Sequence, residues 1–497
     1  MTNLTSPTRP SSTAEAADYA SWAAAAKQHD ESTGAAKWRR ADRSRRYDYE
    51  NVRRRFDELR ALNATNDPHA LLFYLNEGIH GNVGGMGQPA MYNRARFGTK
   101  DLITNYIAAQ AQALEIVARA DTAVVPFRDK LEFFRRVSLC FGRSALMFSG
   151  GGALGPFHLG VVKALLEQGL LPTVISGASA GSFIAAVLGT HTDEELRRLL
   201  DPSRLGAAMG ALVDVNAVGG RRDQISLDHV QSSIATMIPD LTFQEAAART
   251  GRKINISVSP AKVHQTSRLL NAITSPNVFI REAVQASAAI PGVFPAVTLA
   301  AKNRAGERQP YLPGSKWTDG SLTNDLPASR LARLYGVNHF ITSLINPLVL
   351  SSVRDTGFDD SLMARLADVY QSSQRALLRA TYPFAMDLVK GVYPLNLLTR
   401  MAYDVGVQDY TADINIIPRQ RFWDPRKLLS VLSDAETRSL IREGELATWP
   451  KIEMIRNCTL VGRTLDRINN ELEREAASQF ATSHENRDYV EADWSPH

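Results

Sequence analysis

Gly-Ala-Ser-Ala-Gly at 177–181 has the residue types and spacing of a serine nucleophile on a tight turn. Residues 173–176 read as a short buried strand, and 183–188 as the start of an apolar helix. Gly177, Ala178, Ala180 and Gly181 are small enough to let the backbone bend sharply, which leaves the Ser179 hydroxyl at a helix N-terminus. A serine hydroxyl is a weak nucleophile and needs a base. The carbonyl it attacks needs donors for the oxygen that becomes negative.

Upstream, Ser-Gly-Gly-Gly-Ala-Leu-Gly at 149–155 follows an apolar run and precedes the helical pattern 157–166. Loop amides and the dipole of the following helix suit negative charge there. The charge could be a dinucleotide pyrophosphate or an acyl-transfer oxyanion. Gly150-x-Gly152-x-x-Gly155 matches the dinucleotide pattern in form. That reading wants an acidic residue about twenty positions on, where Ile175, Ser176 and Gly177 stand instead. The loop therefore reads as an oxyanion hole built from Gly150, Gly151 and Gly152. The Gly151 and Gly152 amides face the carbonyl oxygen, and the Ala180 amide stands beside them.

Asp319-Gly320 supplies a base, in a turn-rich loop beyond another apolar stretch. Asp-Gly alone is a common surface turn. Its weight comes from chain order: glycine loop, serine elbow, then Asp-Gly. His339 follows Asp319, so a Ser-Asp-His triad is allowed by order. It reads, however, as a strand start well away from the elbow. His158 opens the helix after the glycine loop, where a packing or hydrogen-bonding role is expected.

These three elements together resemble the patatin-like phospholipase family. The resemblance implies a Ser–Asp dyad without histidine, with Ser179 as nucleophile and Asp319 as base. Gly150 to Gly152 then match the oxyanion loop, and Gly155, Gly177, Gly181 and Gly320 the remaining motif glycines. The family usually has Gly or Ala after Asp-Gly, whereas this chain has Ser321. Tyr47-Asp48, Leu-Leu-Phe-Tyr-Leu at 71–75, residues 81–91 and Ala-Ile-Pro-Gly-Val-Phe at 289–294 resemble the subgroup of yeast lipid-droplet and plant oil-body triacylglycerol lipases. The likeness covers roughly residues 20–470. Some related lipases also transfer acyl groups, a role attributed to a His-x4-Asp motif. None of the ten histidines here has Asp five places on, so hydrolysis ranks above transfer.

Composition bounds the rest. A chain of 497 residues exceeds one compact core, and 44% hydrophobic residues suit a globular protein. Two cysteines, Cys140 and Cys458, exclude a disulfide scaffold and suit a reducing compartment. Neither has a partner at metal-ligand spacing, so no metal and no cofactor are expected. The N-terminus lacks the order of a secretory signal, and no apolar run is long enough to span a membrane. The expectation is a cytoplasmic protein that meets a membrane or lipid droplet peripherally. Residues 37–60 hold ten Lys/Arg against five Asp/Glu, with aromatics between them, as on a helix with a basic face. That segment reads first as a solvated, salt-bridged face and second as an anionic-lipid contact. No nucleic-acid motif supports a third reading.

The positioning elements follow from periodicity. An α/β fold is expected, a patatin-like sheet flanked by helices with helical extensions at both ends. The organisation reads as a disordered tail (1–15), a helical region (16–143), a catalytic domain (144–350), a helical extension (351–475) and a tail (476–497). Strands are expected at 145–148, 173–176, 254–258, 268–272 and 339–343, with an edge strand at 413–417. Helices are expected at 14–27, 51–62, 70–75, 99–120, 127–141, 361–379, 433–449 and 454–475, among others. Residues 375–401, rich in leucine and aromatics and broken by Pro383 and Pro394, read as a lipid-binding flap or an ordinary core element. The function expected is a serine lipid acyl hydrolase, foremost a triacylglycerol lipase. The alternatives are a phospholipase A or lysophospholipase, and a catalytically silent lipid-surface binding protein.

Overall fold

The computed structural model describes residues 13, 16–200, 226–262, 266–321, 325–350, 412–419, 428 and 430–491. The expected flap at 375–401 and the expected helix at 361–379 lie outside the described residues. The chain divides into two compact units. One comprises Lys27–Arg143 with Glu453–His497, and the other Met1–Ala26 with Ser144–Ile452.

Six helices open the chain: α1 (Tyr19–Thr33), α2 (Ala35–Arg40), α3 (Tyr49–Thr65), α4 (Pro68–Asn76), α5 (Asp101–Arg119) and α6 (Phe127–Phe141). Asp48 caps α3 by accepting the Asn51 amide, and Asp67 caps α4 ahead of Pro68 at its first position. The apolar stripe of α5, with Ile103, Tyr106 and Leu114, closes on Val52 and Leu59 of α3 and on Phe133 and Phe134 of α6. The basic stretch is not one helix. It is split between α2 and α3, and several of its cations are paired. Arg53 bridges Asp42 at 2.7 Å, Arg40 pairs with Glu31 at 2.9 Å, and Arg55 donates to Tyr106 Oη at 3.2 Å.

The second unit is an α/β fold. In chain order it contains β1 (Arg143–Phe148), α7 (Pro156–Glu167), β2 (Val174–Gly177), α8 (Ala180–Thr190), α9 (Asp193–Leu199), α10 (Leu227–Met237), α11 (Phe243–Thr250), β3 (Lys253–Pro260) and β4 (Arg268–Leu270). There follow α12 (Ile280–Ser287), β5 (Ala300–Lys302), β6 (Arg308–Pro310), β7 (Trp317–Asp319), α13 (Ala328–Tyr335), β8 (Val337–Ser343), α14 (Pro347–Leu350), β9 (Ile414–Ile416) and α15 (Asp434–Thr448). The last helix, α16 (Ile452–Glu491), belongs from Glu453 on to the helical unit and continues well past the expected Glu475.

The main sheet has the order β4-β3-β2-β1-β8-β9, with β7 also on β3, while β5 and β6 form a separate hairpin. β1, β2 and β3 run parallel, as do β8 and β9; β4 and β7 run antiparallel to β3. The apolar runs of β1 and β2 are buried, as a sheet covered on both faces requires. Among the described residues no helix is long and apolar enough to cross a membrane.

The register on β3 positions the site. Gly177, the last residue of β2, stands opposite Ile256, and so does Leu270 of β4. β2 and β4 therefore lie on opposite edges of β3. Val258 is opposite both Arg268 of β4 and Asp319 of β7. β7 thus takes up the edge that β2 leaves, two residues further along. Asp319 is not in a turn-rich loop, as expected from sequence, but ends a fully buried strand. A three-residue strand is too short to show a period-two pattern.

Candidate active site

Ser179 stands between β2 and α8 as the N-cap of that helix, with φ 51° and ψ −126°. A non-glycine residue there carries strain of about 1–3 kcal/mol. Its surroundings hold it in place. The Ser179 N–H donates to Ser287 Oγ at 3.0 Å, and the Ser179 carbonyl accepts the Ser182 hydroxyl at 2.6 Å. Gly177 and Gly181 are needed for close approach. A Cβ on Gly177 would lie 2.1 Å from the Gly181 carbonyl oxygen, and one on Gly181 would lie 2.3 Å from that of Phe148.

The Ser179 hydroxyl faces the Asp319 carboxylate closely enough to favour its charged form. Asp319 is buried, and its amide donates to Ala289 O at 2.9 Å. Burial pushes its carboxyl up to about 6. The Ser321 N–H, which donates to Oδ1 at 2.8 Å, and the nearby Ser179 and Ser321 hydroxyls pull the other way, because each favours the charged form. Ser321 is the residue at which this chain departs from the expected pattern. Gly320 lies against β3 so closely that a Cβ would stand 2.0 Å from Ser257 O.

The glycine loop leaves β1 beside the elbow. A Cβ on Gly150 would come within 3.1 Å of Ser179 Cβ and 2.9 Å of Ser321 Cβ. The Gly150 amide, expected to help hold the oxyanion, is committed elsewhere: it donates to Asp325 Oδ1 at 2.7 Å. Among the described residues the Gly151, Gly152 and Ala180 amides have no acceptor. Gly152 has φ 54°, and a Cβ there would stand 2.3 Å from Leu428 O. Gly155 meets only ordinary contacts, at 3.5 Å or more.

Neither histidine joins the pair. His158 is buried. Its Nε2 lies 3.0 Å from Ser149 O, and its Nδ1 lies 2.6 Å from Ser343 Oγ. A carbonyl only accepts, so Nε2 carries the proton and Nδ1 accepts from the serine. Burial lowers its pKa to about 4, so it stays neutral. His339 Nδ1 is 3.0 Å from Ser144 Oγ. Ser144 lies on β1 four residues before Phe148, whose partner is Gly177. That is about 13 Å along the strand from the elbow.

An apolar cavity of about 280 Å³ has Ser179, Ala180 and Gly152 in its wall. Leu159 of α7, Phe183 of α8, Ile234 and Met237 of α10, and Val284 of α12 complete much of its lining. Sequence reasoning missed Ser287, Asp325 and the bond from the Ser321 N–H. Each is an ordinary residue type with no motif of its own.

The geometry describes a serine–aspartate pair at an apolar pocket. The sequence profile of patatin-like phospholipases matches residues 146–332, and that of a domain of unknown function, DUF3336, matches residues 10–139. The chain is 33% identical to triacylglycerol lipase 4 of Saccharomyces cerevisiae, across 89% of this chain and 50% of that one. It is 32% identical to triacylglycerol lipase SDP1L of Arabidopsis thaliana, across 94% of this chain and 60% of that one. A patatin-like phospholipase domain-containing protein of Cryptococcus neoformans is 34% identical, across 95% of this chain and 55% of its own. The chain belongs to the patatin-like phospholipase family. It spans half to three-fifths of the length of these relatives.

Proposed function

We propose that this protein is a serine acyl hydrolase that releases fatty acids from glycerolipid esters, with triacylglycerol as its main substrate. The observation that carries the reading is the Ser179 hydroxyl, in the wall of an apolar cavity, facing buried Asp319. Asp319, with its pKa raised to about 6, is ionised near neutral pH yet more basic than an ordinary carboxylate. Ser179 Oγ attacks the ester carbonyl while its proton passes to Asp319. The new C–O bond pushes the carbonyl electrons onto oxygen, where the Gly151, Gly152 and Ala180 amides receive them. Collapse expels the glyceride alkoxide, which takes the proton from Asp319 and leaves an acyl-enzyme. Asp319 then accepts a proton from water, which attacks the acyl carbonyl. Release of the fatty acid returns the proton to Ser179. The cavity accommodates the acyl chain, and its apolar lining favours hydrocarbon over a charged group.

The lipase names of the yeast and plant relatives favour triacylglycerol, while the phospholipase description of the family profile favours a phospholipid ester, as in the alternatives of a phospholipase A or lysophospholipase. Fatty-acid release from triolein emulsion, phosphatidylcholine vesicles and lysophosphatidylcholine decides between them, with Ser179→Ala as the control. Fastest release from triolein is expected. Faster release from either phospholipid favours the alternative, and no release from any substrate by the folded wild type leaves a silent binder.

Contact with the lipid surface is peripheral in this reading. Leu312 is exposed at a turn that leads into β7, with φ 54°. Lys262, Arg268 and Lys316 lie around the same strand without an acidic partner among the described residues. Flotation with anionic liposomes should weaken in Leu312→Asp, while hydrolysis of a soluble short-chain ester stays unchanged.

A further inference from the structure

Ser287 ends α12 and is wholly buried. Its Oγ accepts the Ser179 N–H at 3.0 Å and donates to Ser257 O of β3 at 2.8 Å. Two residues on, Ala289 O accepts the Asp319 N–H at 2.9 Å. The end of one helix therefore holds the backbones of both members of the pair. Ser257 O is also the atom against which Gly320 packs. One carbonyl of β3 thus abuts the nucleophile's support on one side and the aspartate's neighbour on the other.

The Ser179 N–H needs this partner. As the N-cap residue, Ser179 lies outside the helical hydrogen-bond ladder, and its amide sits in a buried site. Without Ser287 Oγ that amide has no acceptor in its present conformation, which costs about 1–3 kcal/mol. The backbone is already strained, so relaxing the elbow toward an ordinary conformation becomes the favourable response. Relaxation would carry Ser179 Oγ away from Asp319 without altering the aspartate or the cavity.

We propose that Ser287 is a positioning residue for the nucleophile: its hydroxyl locks the Ser179 elbow in the conformation that presents Oγ to Asp319. The proposal rests on the reading of Ser179 as nucleophile. It adds a residue that touches neither the substrate nor the reacting atoms.

The test uses the full chain with Ser287→Ala, Ser287→Cys and Ser287→Thr. A misplacement on the order of 1 Å costs about a hundredfold in rate. Ser287→Ala should lower kcat on a soluble short-chain ester by about ten- to a hundredfold, with KM within about twofold of wild type. Ser287→Thr, which keeps the hydroxyl, should recover most of the loss. Ser287→Cys nearly preserves volume but supplies a poor acceptor, and should resemble the alanine variant if alanine does not fold. The rate at which a fluorophosphonate labels Ser179 should fall in parallel, and the acid limb of the pH profile should stay near that of wild type. Folded alanine or cysteine variants with wild-type kcat and labelling rate overturn the proposal. So does a loss confined to KM. If wild type is labelled at Ser179 but hydrolyses no lipid, the assigned function fails while the labelling rates still test Ser287.

Discussion

Asp325 Oδ1 accepts the Gly150 N–H at 2.7 Å, and Asn346 Nδ2 donates to its other oxygen at 3.3 Å. The first residue of the glycine loop is thereby pinned, which sets the direction of the next two amides. Asp325→Ala should lower kcat by about ten- to a hundredfold and destabilise the fold by about 1–3 kcal/mol, because a buried amide loses its acceptor. Ester kinetics together with urea unfolding check both parts. Unchanged kcat in the folded variant would mean that the loop holds its shape without this anchor.

Gly151 and Gly152 should respond differently to alanine. A Cβ on Gly151 would stand 2.5 Å from Cγ1 of buried Ile345 and 3.1 Å from its carbonyl oxygen, so mainly a side chain must shift. A Cβ on Gly152 would meet the Leu428 carbonyl at 2.3 Å, at a φ that disfavours any side chain. Gly151→Ala should lose roughly a hundredfold in turnover while remaining folded. Gly152→Ala should lose turnover and stability together. Melting temperatures measured beside kcat separate the two.

The acid limb of activity should report Asp319. The base must be ionised, so kcat/KM should fall as pH drops through about 6. The Ser321 hydroxyl favours the charged carboxylate. Ser321→Ala should therefore raise the Asp319 pKa and move the acid limb upward. A downward shift, or none, would remove the hydroxyl from the site's electrostatics.

Stability should show the same group from the other side. The Asp319 pKa is raised from 3.8 to about 6 in the folded protein. Its stabilising contribution is thus complete below about 4 and is lost as pH rises through about 6. The loss at higher pH is on the order of 3 kcal/mol. Asp319→Asn should abolish hydrolysis yet melt at a higher temperature than wild type at pH 8, with the difference vanishing near pH 4. His158 works in the opposite direction. Its pKa is lowered to about 4, so its contribution is lost as pH falls from about 6.5 through 4.

The elbow, the glycine loop and the positions of the first two strands were legible because the chemistry restricts residue type there. No side chain fits at Gly177 or Gly181, and β1 and β2 need apolar runs to be buried on both faces. The supports were not legible. Ser287 reaches Ser179 across 108 residues of sequence and Asp325 reaches Gly150 across 175, each through a single hydrogen bond. Nothing in the local pattern of either serine or aspartate announces such a partner. Gly160 and Gly444 are similar cases. They look like poor helix residues, yet a Cβ on Gly160 would stand 1.9 Å from Ile441 O, and one on Gly444 would stand 2.2 Å from Phe157 O. The backbones of α7 and α15 meet there. The salt-bridged reading, put first for 37–60, holds at Arg40 and Arg53, which pair with Glu31 and Asp42, while the break between α2 and α3 removes a single helix with a continuous basic face.

The most direct measurement is intact-protein and peptide mass spectrometry after reaction with a long-chain fluorophosphonate. One adduct per chain is expected, on Ser179, formed rapidly by wild type and at least about a hundredfold more slowly by Asp319→Asn. None should form on Ser179→Ala, and labelling of His339→Ala should match wild type. An adduct on another residue, or wild-type labelling of Asp319→Asn alongside loss in His339→Ala, would contradict the serine–aspartate pair.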